Sequence, residues 1–134
     1  MQIKIMNYKE LTNNLNTIPS NTAVISFYNN EDTRVALEKT KINYIQKNII
    51  DIRYVEKPEE FHQQDFIDIV KFIKKHYALN YNFICQCEAG YSRSAACAAA
   101  ISEYYTNDGI KYFADYKYYP NQLFFNIIYN LLKK

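Results

Sequence analysis

Glycine is almost missing from this chain: Gly90 and Gly109 are the only two among 134 residues. That scarcity excludes the glycine-rich loops of Walker and dinucleotide-binding sites. Three prolines are too few for a proline-rich linker. Three cysteines, an odd number, do not make the paired framework of a small secreted domain. A chain of this length can bury a core without such staples. The two histidines, His62 and His76, stand at no metal-ligand spacing and are expected at the surface, so no metal site and no cofactor is expected. The net charge of +2 is too small for a dedicated nucleic-acid binder. No stretch approaches the roughly 20 apolar residues that span a bilayer. The opening MQIKIMNYKELTNNL lacks the basic-then-apolar pattern of a signal peptide. These absences lead to the expectation of a cytoplasmic, monomeric protein with reduced thiols and neither nucleic-acid nor membrane partners.

What is present fits one globular domain over residues 1–134. Apolar residues make up 49% of the chain and aromatic residues 16%. Residues 2–6 alternate weakly and predict a short strand. Residues 8–15 predict a short helix. TAVISFY (22–28) is rich in β-branched and aromatic residues and predicts a second strand. Residues 33–40 predict another short helix, and NIIDIRY (48–54) a third strand. From about 59 to 77, Phe66, Ile69, Val70, Ile73 and Tyr77 recur at helical spacing. NFICQ (82–86) is nearly all apolar and predicts a central strand. The alanine-rich stretch from Ser94 to Tyr105 predicts a helix. A short helical piece near 110–117 and a last helix opening at Pro120 complete the chain. Strands alternating with helices indicate an α/β fold: a central, mostly parallel sheet of four or five strands flanked by helices.

The chemistry gathers in NFICQCEAGYSRSAAC (82–97), where one of the two glycines and one of only three arginines fall together. A strand runs into Cys87, a short loop and a helix. The N–H groups that open a helix are unpaired and, with the helix dipole, attract an anion. Gly90 lets the loop turn tightly. Arg93 can grip two oxygens of a tetrahedral oxyanion, a geometry lysine does not match. A cysteine in such a field gives up its proton more readily and becomes a nucleophile. Beside a bound phosphate it is aimed at phosphorus, forming a phosphocysteine that water hydrolyses. The plain alternative is a structural cysteine next to a surface arginine.

The stretch CEAGYSRSAA resembles the signature of the cysteine-dependent protein tyrosine phosphatase superfamily, Cys-x5-Arg followed by Ser or Thr. It is most similar to compact bacterial members of the dual-specificity-like branch. Asn48 to Cys87, and Tyr119-Pro120-Asn121 before the last helix, also fit that layout. The resemblance implies that Cys87 is the nucleophile and Arg93 the phosphate clamp. Ser94 would hydrogen-bond the sulfur and help it leave. Glu88, Ala89, Gly90, Tyr91 and Ser92 would supply the substrate-binding loop. Ser92 either orients that loop or simply caps the helix.

Two positions depart from the family pattern. Gln86 stands where the family carries histidine; it can donate a hydrogen bond but cannot become positively charged. About thirty residues before the cysteine the family has an aspartic acid that protonates the leaving oxygen. Here Val55 and Glu56 occupy that region, so Glu56 is the candidate general acid. Asp51, expected within the strand NIIDIRY, and then Asp32 are the alternatives. Cys85 and Cys97 are expected in the core, with a resolving role toward oxidised Cys87 open to either. The neutral-to-acidic rim, Glu88 and Tyr91, disfavours polyanionic substrates. A phosphorylated protein, on tyrosine or serine/threonine, or a small phosphomonoester is the expected substrate. The second functional reading is a weak or inactive module that binds phosphate or phosphoproteins without turnover.

Overall fold

A computed structural model describes all 134 residues. Four strands, β1 (Ile3–Met6), β2 (Thr22–Tyr28), β3 (Asn43–Asn48) and β4 (Asn82–Gln86), form one sheet in the order β1-β4-β2-β3. Every neighbouring pair is parallel. Five helices accompany them: α1 (Tyr8–Asn14), α2 (Gln63–Ala78), α3 (Arg93–Thr106), α4 (Ile110–Ala114) and α5 (Gln122–Lys133). The expected α/β fold with a parallel sheet is therefore the fold observed, with four strands. No helix is long and apolar enough to cross a membrane.

Side-chain alternation along the strands divides the core. Ala23, Ile25, Phe27, Phe83 and Cys85 face α2, α3 and α5 in the larger apolar cluster. Val24 and Ile84 face the other way, onto Leu11 of α1, Val35 and Leu37. Both faces of the sheet are thus covered, as parallel strands require. The alanine run of α3 is completely buried, and its small side chains let the helix lie close under the sheet.

Several expected elements shift. The third strand is Asn43–Asn48, not 48–54. Its register with β2 runs from Ala23↔Asn43 to Tyr28↔Asn48. One further bond, Ile49 N–H to the Tyr28 carbonyl (3.0 Å), closes the pairing. Beyond it β2 has ended and β3 has no other neighbour, so the apolar Ile50 and Ile52 cannot extend a ladder. The chain leaves the sheet as an irregular loop from residue 49 to 62. Asp51 consequently lies on that loop rather than in a strand. The long helix begins at Gln63 rather than 59, because His62 takes a left-handed conformation with φ +47°. Turns at Lys57–Glu60 and Pro58–Phe61 occupy the preceding residues.

On α2, Phe66, Ile69, Val70 and Ile73 are buried as the periodicity predicts. Tyr77, expected on that same face, is instead partly exposed and stacks on Tyr105 at 3.6 Å. His76, expected at the surface, is buried. Its Nδ1 lies 2.9 Å from the Phe72 carbonyl, and its ring packs on Phe72 and Tyr81. Residues 33–40 hold only a single 3-10 turn at Leu37–Lys39, just after another at Glu31–Thr33. The last helix starts at Gln122, with the Asn121 side chain accepting from Phe124 N–H as its cap.

Candidate active site

β4 lies between β1 and β2, and its C-terminal end delivers Cys87 to the middle of the sheet's edge. The loop 87–92 then turns into α3, whose first residue is Arg93. Three of its carbonyls are held by bonds to other segments or to the first turn of α3. Glu88 accepts from Tyr8 N–H (3.1 Å), Tyr91 from Tyr119 N–H (2.8 Å), and Ser92 from Ala96 and Asn121 N–H (3.0 and 3.2 Å). In a planar trans peptide the following N–H points away from the carbonyl, so these three carbonyls turn the N–H groups of Ala89, Ser92 and Arg93 the other way. None of the backbone N–H groups from Glu88 to Ser92 donates within the chain.

Gly90 makes this turn possible. It has φ +75°, and a Cβ built there would lie 2.9 Å from both the backbone N and the Cβ of Asn7. Asn7 caps α1 through a reciprocal box with Glu10, so it is not free to retreat. Gly90→Ala is therefore expected to lower the unfolding free energy by about 1–3 kcal/mol. Chemical denaturation of the variant checks this.

Cys87 is buried, with its Sγ 3.1 Å from the Oγ of buried Ser94. Arg93 is also buried. Its Nη1 donates to Asn29 Oδ1 (3.0 Å) and the Ile49 carbonyl (2.9 Å). Its Nε is buried with no partner. No carboxylate in the chain pairs with this guanidinium: the ion pairs involve Arg34, Lys47, His62 and Lys111 only. A buried cation with a free donor, beside unpaired amides, is costly unless an anion joins it.

Ser92 does not cap α3; its side chain makes no cap bond. Instead its Oγ donates to Asp51 Oδ1 (2.9 Å) and accepts from Arg53 Nη2 (3.0 Å). Asn121, fully buried, adds its Nδ2 to the same Asp51 oxygen (2.7 Å) and to the Ile52 carbonyl (2.9 Å). Asp51 is thereby an anchor for the 49–62 loop, its Oδ1 occupied by two donors. Glu56, further along that loop, is exposed and makes no hydrogen bond. Asp32 sits on the exposed turn Glu31–Thr33.

Gln86 lies on the opposite face of β4 from Cys87. A one-way chain of donors reaches it from the surface. Arg34 Nη1 donates to Gln46 Oε1 (3.0 Å), Gln46 Nε2 to Ser26 Oγ (3.1 Å), and Ser26 Oγ to Gln86 Oε1. The Gln86 Nε2 is buried and has no partner. Cys85 and Cys97 are buried free thiols in the large core cluster. The Cys97 thiol beside it, together with burial, pushes the Cys85 thiol well above the ordinary range.

The sequence alone did not single out Asn29, Arg53 or the side chain of Asn121 as site residues. The one signal available was rarity: Arg53 is one of three arginines, and an arginine in an apolar run needs partners for its five donors.

No family model and no curated protein matches this sequence. Solved structures do share its fold. Two crystal structures of PTPMT1, one in complex with PI(5)P, align with a TM-score of 0.64 and 18% identity, covering 98% of this chain and 90% of that one. The human tyrosine phosphatase-like serine/threonine/tyrosine-interacting protein aligns with a TM-score of 0.61 and 18% identity, over 96% of this chain and 89% of that one. Tk-PTP in its active form aligns at 0.61 and 13% identity, covering 100% and 93% of the two chains.

Proposed function

We propose that this chain is a cysteine-dependent phosphatase of the protein tyrosine phosphatase superfamily. Its substrates are phosphomonoesters: phosphotyrosine, phosphoserine/threonine or a small phosphate ester. The observation that carries this reading is the buried Arg93, unmatched by any carboxylate, at a loop whose N–H groups are all unpaired, next to the Cys87–Ser94 contact. The shared fold with named phosphatases agrees with it.

The mechanism follows from that arrangement. The loop amides and the Nε and Nη2 of Arg93 hold the three terminal oxygens. The Cys87 thiolate attacks phosphorus, and the phosphorus–oxygen bond to the substrate breaks. Glu56 gives its proton to the departing oxygen. Water then attacks the phosphocysteine and passes a proton to Glu56. The sulfur leaves as thiolate, stabilised by a hydrogen bond from Ser94 Oγ. Charge builds on the oxygens throughout, so preorganised donors supply most of the acceleration.

The test is hydrolysis of an aryl phosphate under reducing conditions, without added metal, followed by phosphotyrosine and phosphoserine peptides. Turnover that vanadate blocks and that requires Cys87 supports the reading. Well-folded protein that binds phosphopeptides without turning them over would instead make this a phosphate-binding module. The uncharged Gln86 in the histidine position is the feature that favours that outcome. Glu56→Gln is expected to lower kcat by roughly 10²–10³-fold for an ester with a poor leaving group. For an activated ester it is expected to change kcat little. A pair of such substrates checks this directly.

A further inference from the structure

The 49–62 loop has no regular structure of its own, yet Arg53 ties it to the phosphate loop at a defined point. Nη2 of Arg53 donates to Ser92 Oγ and to the Tyr119 carbonyl, both at 3.0 Å. Nη1 lies 3.4 Å from the Pro120 carbonyl. The guanidinium also sits 4.3 Å over the centre of the Tyr119 ring. The same Tyr119 grips the phosphate loop through its N–H to Tyr91. Because Arg53 donates to Ser92, the Ser92 hydroxyl is left to donate to Asp51. The three residues thus form one directed chain, Arg53 to Ser92 to Asp51, that begins and ends on the loop carrying Glu56.

Resting on the phosphatase reading above, we infer that Arg53 is a positioning residue, holding the Glu56 loop in register over the phosphate loop so that the leaving oxygen receives its proton. The fork geometry matters more than the charge. One ammonium cannot reach Ser92, Tyr119 and Pro120 together while lying flat on the ring. These contacts are at the rim, where their loss costs little stability. Their catalytic weight comes from placement, since an error of about 1 Å in a proton donor can cost about a hundredfold in rate.

The experiment measures Arg53→Ala and Arg53→Lys with two aryl phosphates, one a good and one a poor leaving group. Each variant is made in the wild-type and Glu56→Gln backgrounds. Both are expected to lower kcat/KM for the poor leaving group by about 10- to 100-fold and for the good one by less than about threefold. Vanadate inhibition is expected to stay within about threefold, and the selective loss to vanish in the Glu56→Gln background. Equal loss with both substrates, no loss, full persistence without Glu56, or complete rescue by lysine would each overturn the inference. Denaturation curves identify a misfolded Arg53→Ala, in which case Arg53→Lys carries the test. Absence of Cys87-dependent turnover in the wild type would overturn the phosphatase reading itself, and this inference with it.

Discussion

Cys87→Ser is expected to reduce hydrolysis of an aryl phosphate by roughly 10⁴–10⁶-fold, the range seen when a nucleophile is removed from an otherwise intact site. The expectation rests on what surrounds the sulfur. Its side-chain partner is the Ser94 hydroxyl, at 3.1 Å, and no histidine or carboxylate bonds to it. A thiolate needs no such base, because it carries its own charge into the reaction. A serine hydroxyl in the same place has nothing to take its proton. The substitution removes one atom's chemistry and leaves the loop amides and Arg93 in place. Phosphopeptide affinity is therefore expected to survive while turnover disappears. Calorimetric titration and a steady-state assay on one preparation separate the two. Residual turnover above about one per cent would point to a different nucleophile.

The second large effect concerns Arg93. Arg93→Lys is expected to lower kcat/KM by about 10²–10³-fold, the scale for losing a preorganised oxyanion donor. On the proposed mechanism the charge alone does not suffice. Nη1 is already committed to Asn29 and Ile49, which fixes the plane of the guanidinium. The remaining nitrogens can then face the phosphate as a pair. A lysine has one nitrogen and must choose between Ile49 and the ligand. Arg93→Met carries a complementary expectation for stability. The guanidinium is buried without a carboxylate partner, so removing it relieves desolvation while sacrificing two hydrogen bonds. The unfolding free energy is expected to change by less than about 1 kcal/mol while phosphate binding is lost. A large loss of stability would instead make Arg93 a structural residue.

Legibility from sequence varied along the chain for identifiable reasons. Where neighbours in sequence are also neighbours in space, reading succeeded. NFICQ as a central strand, the alanine-rich helix after it and the apolar face of α2 all follow from short-range periodicity. The third strand failed because the apolar run 48–54 has every local mark of a strand. Its extent is nevertheless set by where β2 stops. The environment of His76 likewise depends on Tyr81 and Phe72 closing over it.

The same division runs through the site. The strand, turn glycine and helix start around Cys87 and Arg93 were legible in the sequence, because they lie within about a dozen residues and interact locally. What surrounds that loop depends on contacts between distant segments. The tertiary structure placed Asp51 on a loop, where its Oδ1 accepts from Ser92 and Asn121. It also brought Asn29 to Arg93, and Arg53 to Ser92 and Tyr119. Those pairs are separated by 39 to 70 residues, and hydrogen bonds at such range leave no periodic trace. The strand order β1-β4-β2-β3 brings the C-terminal ends of β2, β3 and β4 together, so that the loops leaving them, which carry Asn29, Asp51, Arg53 and Cys87, meet at one edge of the sheet.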